Sequence, residues 1–258
     1  MKILCIGDIV GVSGTAYAAA NLWALRREHG ADMVVCNAEN CAPGNGVDIE
    51  SAQKLLASGA DVLTAGNHIW QKKEIFPFLE SCRDIVRPAN YPYTCPGRGY
   101  TIKNINNFRV MVINISGCVF MESLDHPFLC ADKIIEREAG RFDFALLDFH
   151  AEATSEKIAM GRYLDGRVAA VWGTHTHVQT SDACILPRCT GYITDIGMSG
   201  PVDSVIGVKT DNAVQKFVTR MPVRFTPAEG ACKIEGACFE INTDSGKCTG
   251  AYAFRHVG

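Results

Sequence analysis

The sequence has no long hydrophobic run. Nothing in its 258 residues approaches the roughly 18 consecutive apolar residues that a membrane span requires. It also lacks an excess of one charge: 25 Lys and Arg stand against 28 Asp and Glu, a net charge of -3, which argues against a coat for long nucleic acid or an anionic membrane. Among twelve cysteines there is no C-x-x-C pair. Cys36 and Cys41, like Cys184 and Cys189, stand five apart with no nearby His to complete a zinc pattern. Cys5 in KILCIG and Cys36 in MVVCN lie inside apolar runs, where Cys behaves as a small buried hydrophobe, so reduced cytosolic thiols are expected. The opening MKILCIGDIVG has a short apolar stretch broken by Asp8 and no signal-type cleavage region after it, which makes cytoplasmic residence the expectation. No internal repeat, low-complexity linker or composition break divides the chain, so one domain over 1–258 is expected.

What is present is alternation. KILCIGDIV reads as a strand, residues 15–29 as a helix ended by Gly30, and MVVCNAEN as a second strand with a polar tip. Residues 48–58 read as a helix stopped by Gly59, DVLTAGNH as a third strand and its loop, and KKEIFPFLE as a short helix interrupted by Pro77. RPANYPYTCPGRGYTIKNINN (87–107) is loop with a hairpin turning at Asn106-Asn107, and RVMVINIS resumes a strand. FDFALLDFH (142–150) and RVAAVWGTH (167–175) are apolar strands with the helical TSEKIAMGRYL between them. A helix near 211–219 and the antiparallel-looking KIEGACFEI and CTGAYAFRH complete an α/β chain with largely buried sheet.

In open α/β sheets, ligands bind outside the carboxyl ends of the strands. The strands of this chain end in Asp8, Glu39-Asn40, Asn67-His68, His150, and His175 with His177, and four of the seven histidines fall at these tips. Each has an ordinary reading by itself: Asp8 as a cap, Asn67-His68 as turn residues, Glu39 as a partly exposed helix-side carboxylate. Together they favour a metal site, because burying so many polar groups without a partner is costly. Asp8, Glu39, Asn40, Asn67, His150, His175 and His177 exceed what one tetrahedral zinc needs. Two metals sharing a carboxylate, roughly 3.5–4 Å apart, absorb them, and an all-nitrogen-and-oxygen set suits iron, manganese or zinc. In GTHTH (173–177) the two histidines are one residue apart, which on an extended chain projects them to one side.

The series GD (7–8), AEN (38–40), GNH (66–68), FH (149–150) and GTHTH resembles the calcineurin-like metallophosphoesterase superfamily. Val10 stands where that pattern has the His of D-x-H, Glu39-Asn40 where it has G-D-x-x-D, and Ile69 where an acid follows GNH. With RPANYP (87–92), PGRGY (96–100), DFHAEATSEKIAMG (148–161) and TDIGMSGPVDSVIG (194–207), these departures resemble the bacterial YmdB-like branch. The resemblance implies a four-layer α/β/β/α sandwich with a di-iron or di-manganese centre, and hydrolysis of small phosphodiesters, 2′,3′-cyclic nucleotides foremost, by a cytoplasmic homo-oligomer. It implies one metal on Asp8, Glu39, Asn40 and His177, and a second on Glu39, Asn67, His150 and His175, with Glu39 bridging. Attack by a hydroxide held between the metals would be completed by His68 as proton donor, although Ile69 offers no carboxylate to orient that ring.

The glycines of GDIVGVSG (7–14) fit neither G-x-G-x-x-G nor G-x-x-x-x-G-K-[ST], and are expected to let the backbone turn past the metals instead. Asp148, Glu152 and Arg162 around His150, and Asp195, fit salt bridges or turns as well as support of the site, so they stay outside the expected ligand set. Two further functions share these residues: a phosphomonoesterase, and a regulatory nucleotide-sensing protein with a metal centre.

Overall fold

Strands joined through helices must run parallel, because each helix carries the chain back to the edge where it started. The computed structural model describes residues 1–258 and builds the β-strands Lys2–Ile6, Met33–Asn37 and Val62–Thr64 of one sheet and Phe108–Ser116, Phe144–His150 and Ala170–Thr174 of the other this way. In chain order the elements are β1 (Lys2–Ile6), β2 (Asp8–Ile9), α1 (Gly11–His29), β3 (Met33–Asn37), α2 (Ile49–Ala57), β4 (Val62–Thr64), a 3-10 turn (Asn67–Trp70) and α3 (Ile75–Ser81). Then come β5 (Tyr100–Ile105), β6 (Phe108–Ser116), α4 (Pro127–Arg137), β7 (Phe144–His150), α5 (Thr154–Leu164) and β8 (Ala170–Thr174). β9 (Cys184–Ile185), β10 (Gly191–Ile193), β11 (Met198–Pro201), α6 (Thr210–Thr219), β12 (Cys232–Ile241) and β13 (Cys248–Val257) finish the chain.

The first sheet runs β2-β11-β12-β1-β3-β4, with β13 also on β12; β1, β3 and β4 are mutually parallel. The second runs β5-β6-β7-β8-β10-β9, parallel from β6 to β10 with antiparallel edges. Alternate residues of each strand go to different apolar clusters, as the two-residue pleat requires. Ile3, Cys5, Met33 and Val35 of the first sheet share one cluster with Val110, Val112, Leu146 and Trp172 of the second. Leu4, Ile6, Val34 and Cys36 instead meet Ala18, Leu22 and Leu25 of α1 and Leu55 of α2. Met111, Ile113, Leu147 and Phe149 meet Ile134 of α4 and Met160 of α5. The architecture is mixed α/β with two sheets, and no helix is long and apolar enough to cross a membrane.

Four expectations change. KILCIGDIV is two strands, because the partners change at Gly7: β1 pairs with β3 and β12 and β2 with β11, with Gly7 so close to Gly197 that a Cβ would sit 2.2 Å from its carbonyl oxygen. α1 starts at Gly11 rather than 15, without a side-chain cap to mark it. Pro77 falls in the first turn of α3, where no intrahelical N–H is lost, so it does not interrupt the helix. α4, entered through Pro127 and burying Ala131 and Ile134, is a helix that was not expected from the sequence. The Asn106-Asn107 turn stands as expected, both residues left-handed at φ 49° and 70° between β5 and β6.

Candidate metal centre

The singled-out residues arrive from both sheets. Asp8 opens β2, Glu39 and Asn40 follow β3, and Asn67 and His68 form the turn after β4, all on the first sheet. His150 ends β7, and His175 and His177 follow β8, on the second. Ligand atoms of Glu39, His150 and His175 lie within 4.8 Å of one another, as do those of Asp8, Glu39 and His177, so Glu39 belongs to both groups. Asp8, Glu39 and His150 are essentially sealed from solvent, which is at odds with the ordinary reading of Glu39 as a partly exposed carboxylate. Asn67 Oδ1 lies 3.1 Å from His150 Nε2, and Asn40 Oδ1 lies 2.8 Å from His68 Nδ1. All seven expected ligands and His68 are therefore brought together by these contacts.

The GTHTH segment is not extended. β8 stops at Thr174, and both histidines adopt the left-handed region, His175 at φ 97° and His177 at φ 62°. Such backbone costs on the order of 1–3 kcal/mol per residue and persists only where the surroundings impose it. Asp195 imposes it here, accepting from Thr176 N at 3.2 Å and Thr176 Oγ1 at 2.7 Å, while Lys157 Nζ neutralises it at 2.7 Å. The kink fans the rings apart, so that His175 Nδ1 meets His150 Nε2 at 3.1 Å and His177 Nε2 lies 3.8 Å from Asp8 Oδ1.

Each imidazole has one nitrogen occupied outside the centre. Thr174 Oγ1 donates to Asp148 Oδ1 at 2.7 Å, which leaves it to accept from His150 Nδ1 at 2.9 Å. His175 Nε2 sits 3.1 Å from the Glu152 carboxylate, and His177 Nδ1 donates to the Ile206 carbonyl at 3.0 Å. Three rings thus turn their remaining nitrogens inward, the tautomer pattern of metal-ligating histidines. Thr174 was not singled out from the sequence, and Asp148 and Glu152 were left outside the site. Their position two residues either side of His150 was the available signal. Arg162 is exposed on α5 and takes no part.

The electrostatics point the same way. Burial raises the Asp8 carboxyl above its usual range, and its Oδ1 is a buried atom with no hydrogen-bond partner. Burial also opposes charge on Glu39 and His150, but their 3.0 Å contact outweighs it, holding Glu39 well below the usual carboxylate range and raising His150 to about 9. Burial, with His150 beside it, pushes His175 down to about 3. Gly66 has no room for a side chain, since a Cβ there would lie 2.1 Å from Glu39 Oε2 and 2.2 Å from His150 Nε2. Two carboxylates, one of them with an orphaned oxygen, and three inward imidazole nitrogens are a donor set suited to borderline or hard divalent cations.

The centre opens into a cleft of about 490 Å³ lined by Val10, Asn40, His68 and His177 on one side and residues of 206–227 on another. The size falls within the usual range for small-molecule sites.

The sequence pattern of the family described as YmdB-like protein matches residues 4–253. The chain is 45% identical to the 2′,3′-cyclic-nucleotide 2′-phosphodiesterase of Bacillus subtilis (strain 168) over 247 residues, covering 96% of this chain and 94% of that protein. Among solved structures, a hypothetical protein from Thermus thermophilus superposes with a TM-score of 0.93 at 36% identity, covering 100% of this chain and 99% of that one. A structure described as a novel phosphatase from Mycoplasma pneumoniae gives a TM-score of 0.94 at 31% identity, covering 100% and 93%. A family pattern spanning nearly the whole chain, together with close relatives matched end to end, shows that the chain belongs to the YmdB-like protein family.

Proposed function

We propose that the chain is a dinuclear metallophosphodiesterase acting on small phosphodiesters, 2′,3′-cyclic nucleotides foremost. The observation that carries this reading is the pair of three-residue groups sharing Glu39, which meet the cleft at His177. Asp8, Glu39, Asn40 and His177 would hold one ion and Glu39, Asn67, His150 and His175 the other, the pair being iron, with manganese as the alternative metal. Such a pair of cations, when bound, neutralises charge on phosphoryl oxygens and makes water a nucleophile near neutral pH.

The protein's own residues do the rest. Glu152, Thr174 and the Ile206 carbonyl fix the orientation of the three histidines, so the centre is organised before substrate arrives. His68 lines the cleft with its Nδ1 held by Asn40 at 2.8 Å, which supports proton donation from Nε2 to the departing ribose oxygen. The Asn40 and Glu39 contacts supply the orientation that Ile69 cannot.

The three apolar clusters support reading the fold as a four-layer α/β/β/α sandwich in one domain over 1–258. Twelve unpaired cysteines support residence in the reducing cytoplasm, and the exposed Val214, Phe217 and Val218 of α6 support a homo-oligomer.

The test is elemental analysis together with hydrolysis of 2′,3′-cyclic AMP by wild type and Glu39→Gln. About two metals per chain and activity in wild type, with both reduced in the variant, is the expected result. Metal-loaded wild type that cleaves nitrophenyl phosphate but not bis-nitrophenyl phosphate would make it a phosphomonoesterase. Metal-loaded wild type that cleaves no ester would leave the sensor, and no bound metal would end the reading.

A further inference from the structure

Breaking one phosphodiester bond does not account for the far wall of the cleft. There, Arg224 and Phe225 stand on the segment that follows α6, and Lys72 stands on the lip beyond His68. Neither Lys72 nor Arg224 is among the ten of the chain's 25 Lys and Arg side chains that pair with an acid. Phe225 is 44% exposed, with the Lys216 ammonium 4.7 Å from its ring centroid. An exposed aromatic ring in a cleft also lined by an unpaired arginine and an unpaired lysine is a recognition surface for a base and an anion.

The wall is built in register with the centre. His177 Nδ1 donates to the Ile206 carbonyl, and Gly207, at φ +99°, packs so closely that a Cβ would lie 2.6 Å from Val10 Cγ1. Val208 bridges to Pro227, Lys209 N donates to the Thr226 carbonyl at 3.0 Å, and Ala228 N donates to the Gly207 carbonyl at 2.9 Å. The turn that touches a candidate ligand histidine therefore also positions Arg224 and Phe225. On the opposite lip, Gly46 at φ +87° lets the 43–46 loop close on Gln71 and Lys72.

We infer that the two sides of this cleft select the substrate: Phe225 stacks the base of a 2′,3′-cyclic nucleotide, and Arg224 on one side and Lys72 on the other bind a second phosphate on the 5′ side of the same nucleoside. The inference rests on the phosphodiesterase reading. The cyclic phosphate carries one negative charge, which the centre itself answers, so two further cations call for a second anion. That anion is either a terminal 5′-phosphate or the phosphodiester joining the nucleoside to a preceding nucleotide. The preferred substrate class is then a 5′-phosphorylated nucleoside 2′,3′-cyclic phosphate or a short RNA end carrying one.

The test compares kcat/KM for adenosine 2′,3′-cyclic phosphate, its 5′-phosphorylated form and an adenylyl dinucleotide ending in a 2′,3′-cyclic phosphate. Wild type is expected to favour a 5′-phosphate-bearing substrate by about tenfold, through KM, and Arg224→Ala and Lys72→Ala to bring that ratio toward one. Preference for the dinucleotide alone identifies the phosphodiester as the anion, and preference for both identifies any 5′-phosphate. Phe225→Leu is expected to raise KM for all three about tenfold, with Phe225→Tyr restoring it. Titration calorimetry of adenosine 3′,5′-bisphosphate against adenosine 3′-phosphate reads the same wall without turnover, and about tenfold tighter binding of the bisphosphate, lost in Arg224→Ala, is expected. Equal affinity for the two ligands and equal kcat/KM for the three substrates would overturn the inference. No hydrolysis with the binding difference intact would remove the phosphodiesterase reading and keep the anion site.

Discussion

Gly66 has its φ at an ordinary extended value, so its small size is what the site uses. With Glu39 Oε2 and His150 Nε2 pressed against the position of its missing Cβ, Gly66→Ala must displace the two residues that link the candidate metal groups. The expected outcome is loss of at least one bound metal per chain by elemental analysis, with the fold retained by circular dichroism. Unchanged metal content would mean the carboxylate and ring can retreat without cost. His68 is a different case, since its ring belongs to neither three-residue group. His68→Ala should keep both metals and lower turnover of 2′,3′-cyclic AMP about a hundredfold, the scale of a lost general acid. Turnover at the wild-type rate would remove His68 from the chemistry. The identities of all these residues were legible as polar groups at strand tips. The roles of Thr174 and Glu152 were not, because a hydroxyl or a carboxylate acquires one only from what it touches.

Elements were legible where a local signal marks them. Asp48 accepts from Ser51 N at 2.7 Å and starts α2 one residue after itself. Asp48→Ala should therefore cost about 1 kcal/mol of stability in a denaturant titration, as N-caps do. A loss below a few tenths would show that packing of Leu55 and Ala52 alone decides that helix. The Asn106-Asn107 hairpin was equally readable, because few residues other than Asn and Gly tolerate two successive left-handed positions. α1 begins earlier than its sequence signals because Val10, its N-cap, offers no side-chain acceptor, so tertiary contacts set the boundary. The kink at His175 and His177 was illegible for a related reason. Histidine adopts that backbone more often than most residues but still uncommonly, and Asp195, eighteen residues further on, holds it there.

For the molecule as a whole, the centre is a clasp between two sheets, with Asp8 and Glu39 from one and His150, His175 and His177 from the other. Metals bound there should stabilise the folded state by mass action, so a chelator should lower the melting temperature. One charged cross-sheet contact left in chelated protein is Glu39 to His150 at 3.0 Å. Glu39, depressed from its ordinary value of 4.5, contributes stability that is complete above that value and lost as pH falls below it. His150, raised from 6.5 to about 9, contributes stability that is complete below 6.5 and lost as pH rises through about 9. Calorimetry of chelated protein should show melting temperature falling between those two pH values. Metal-loaded protein should not follow it, because metals bind the deprotonated ligands. Parallel pH curves with and without chelator would sink the clasp.

The sequence by itself determined which segments are apolar strands, which are amphipathic connections, and that polar ligand-type residues stand at the strand tips. Those properties depend on side-chain chemistry and on periods of two or a few residues, which a linear chain displays directly. The resemblance implied two sheets and a shared Glu39, but only the tertiary structure decided which tips stand on which sheet and that a left-handed kink parts the two histidines of GTHTH into separate groups. It also decided that Arg224 and Phe225 line the same cleft as His68. Each of these is a contact between residues far apart in the chain, and such contacts depend on how whole elements pack, which no local pattern encodes.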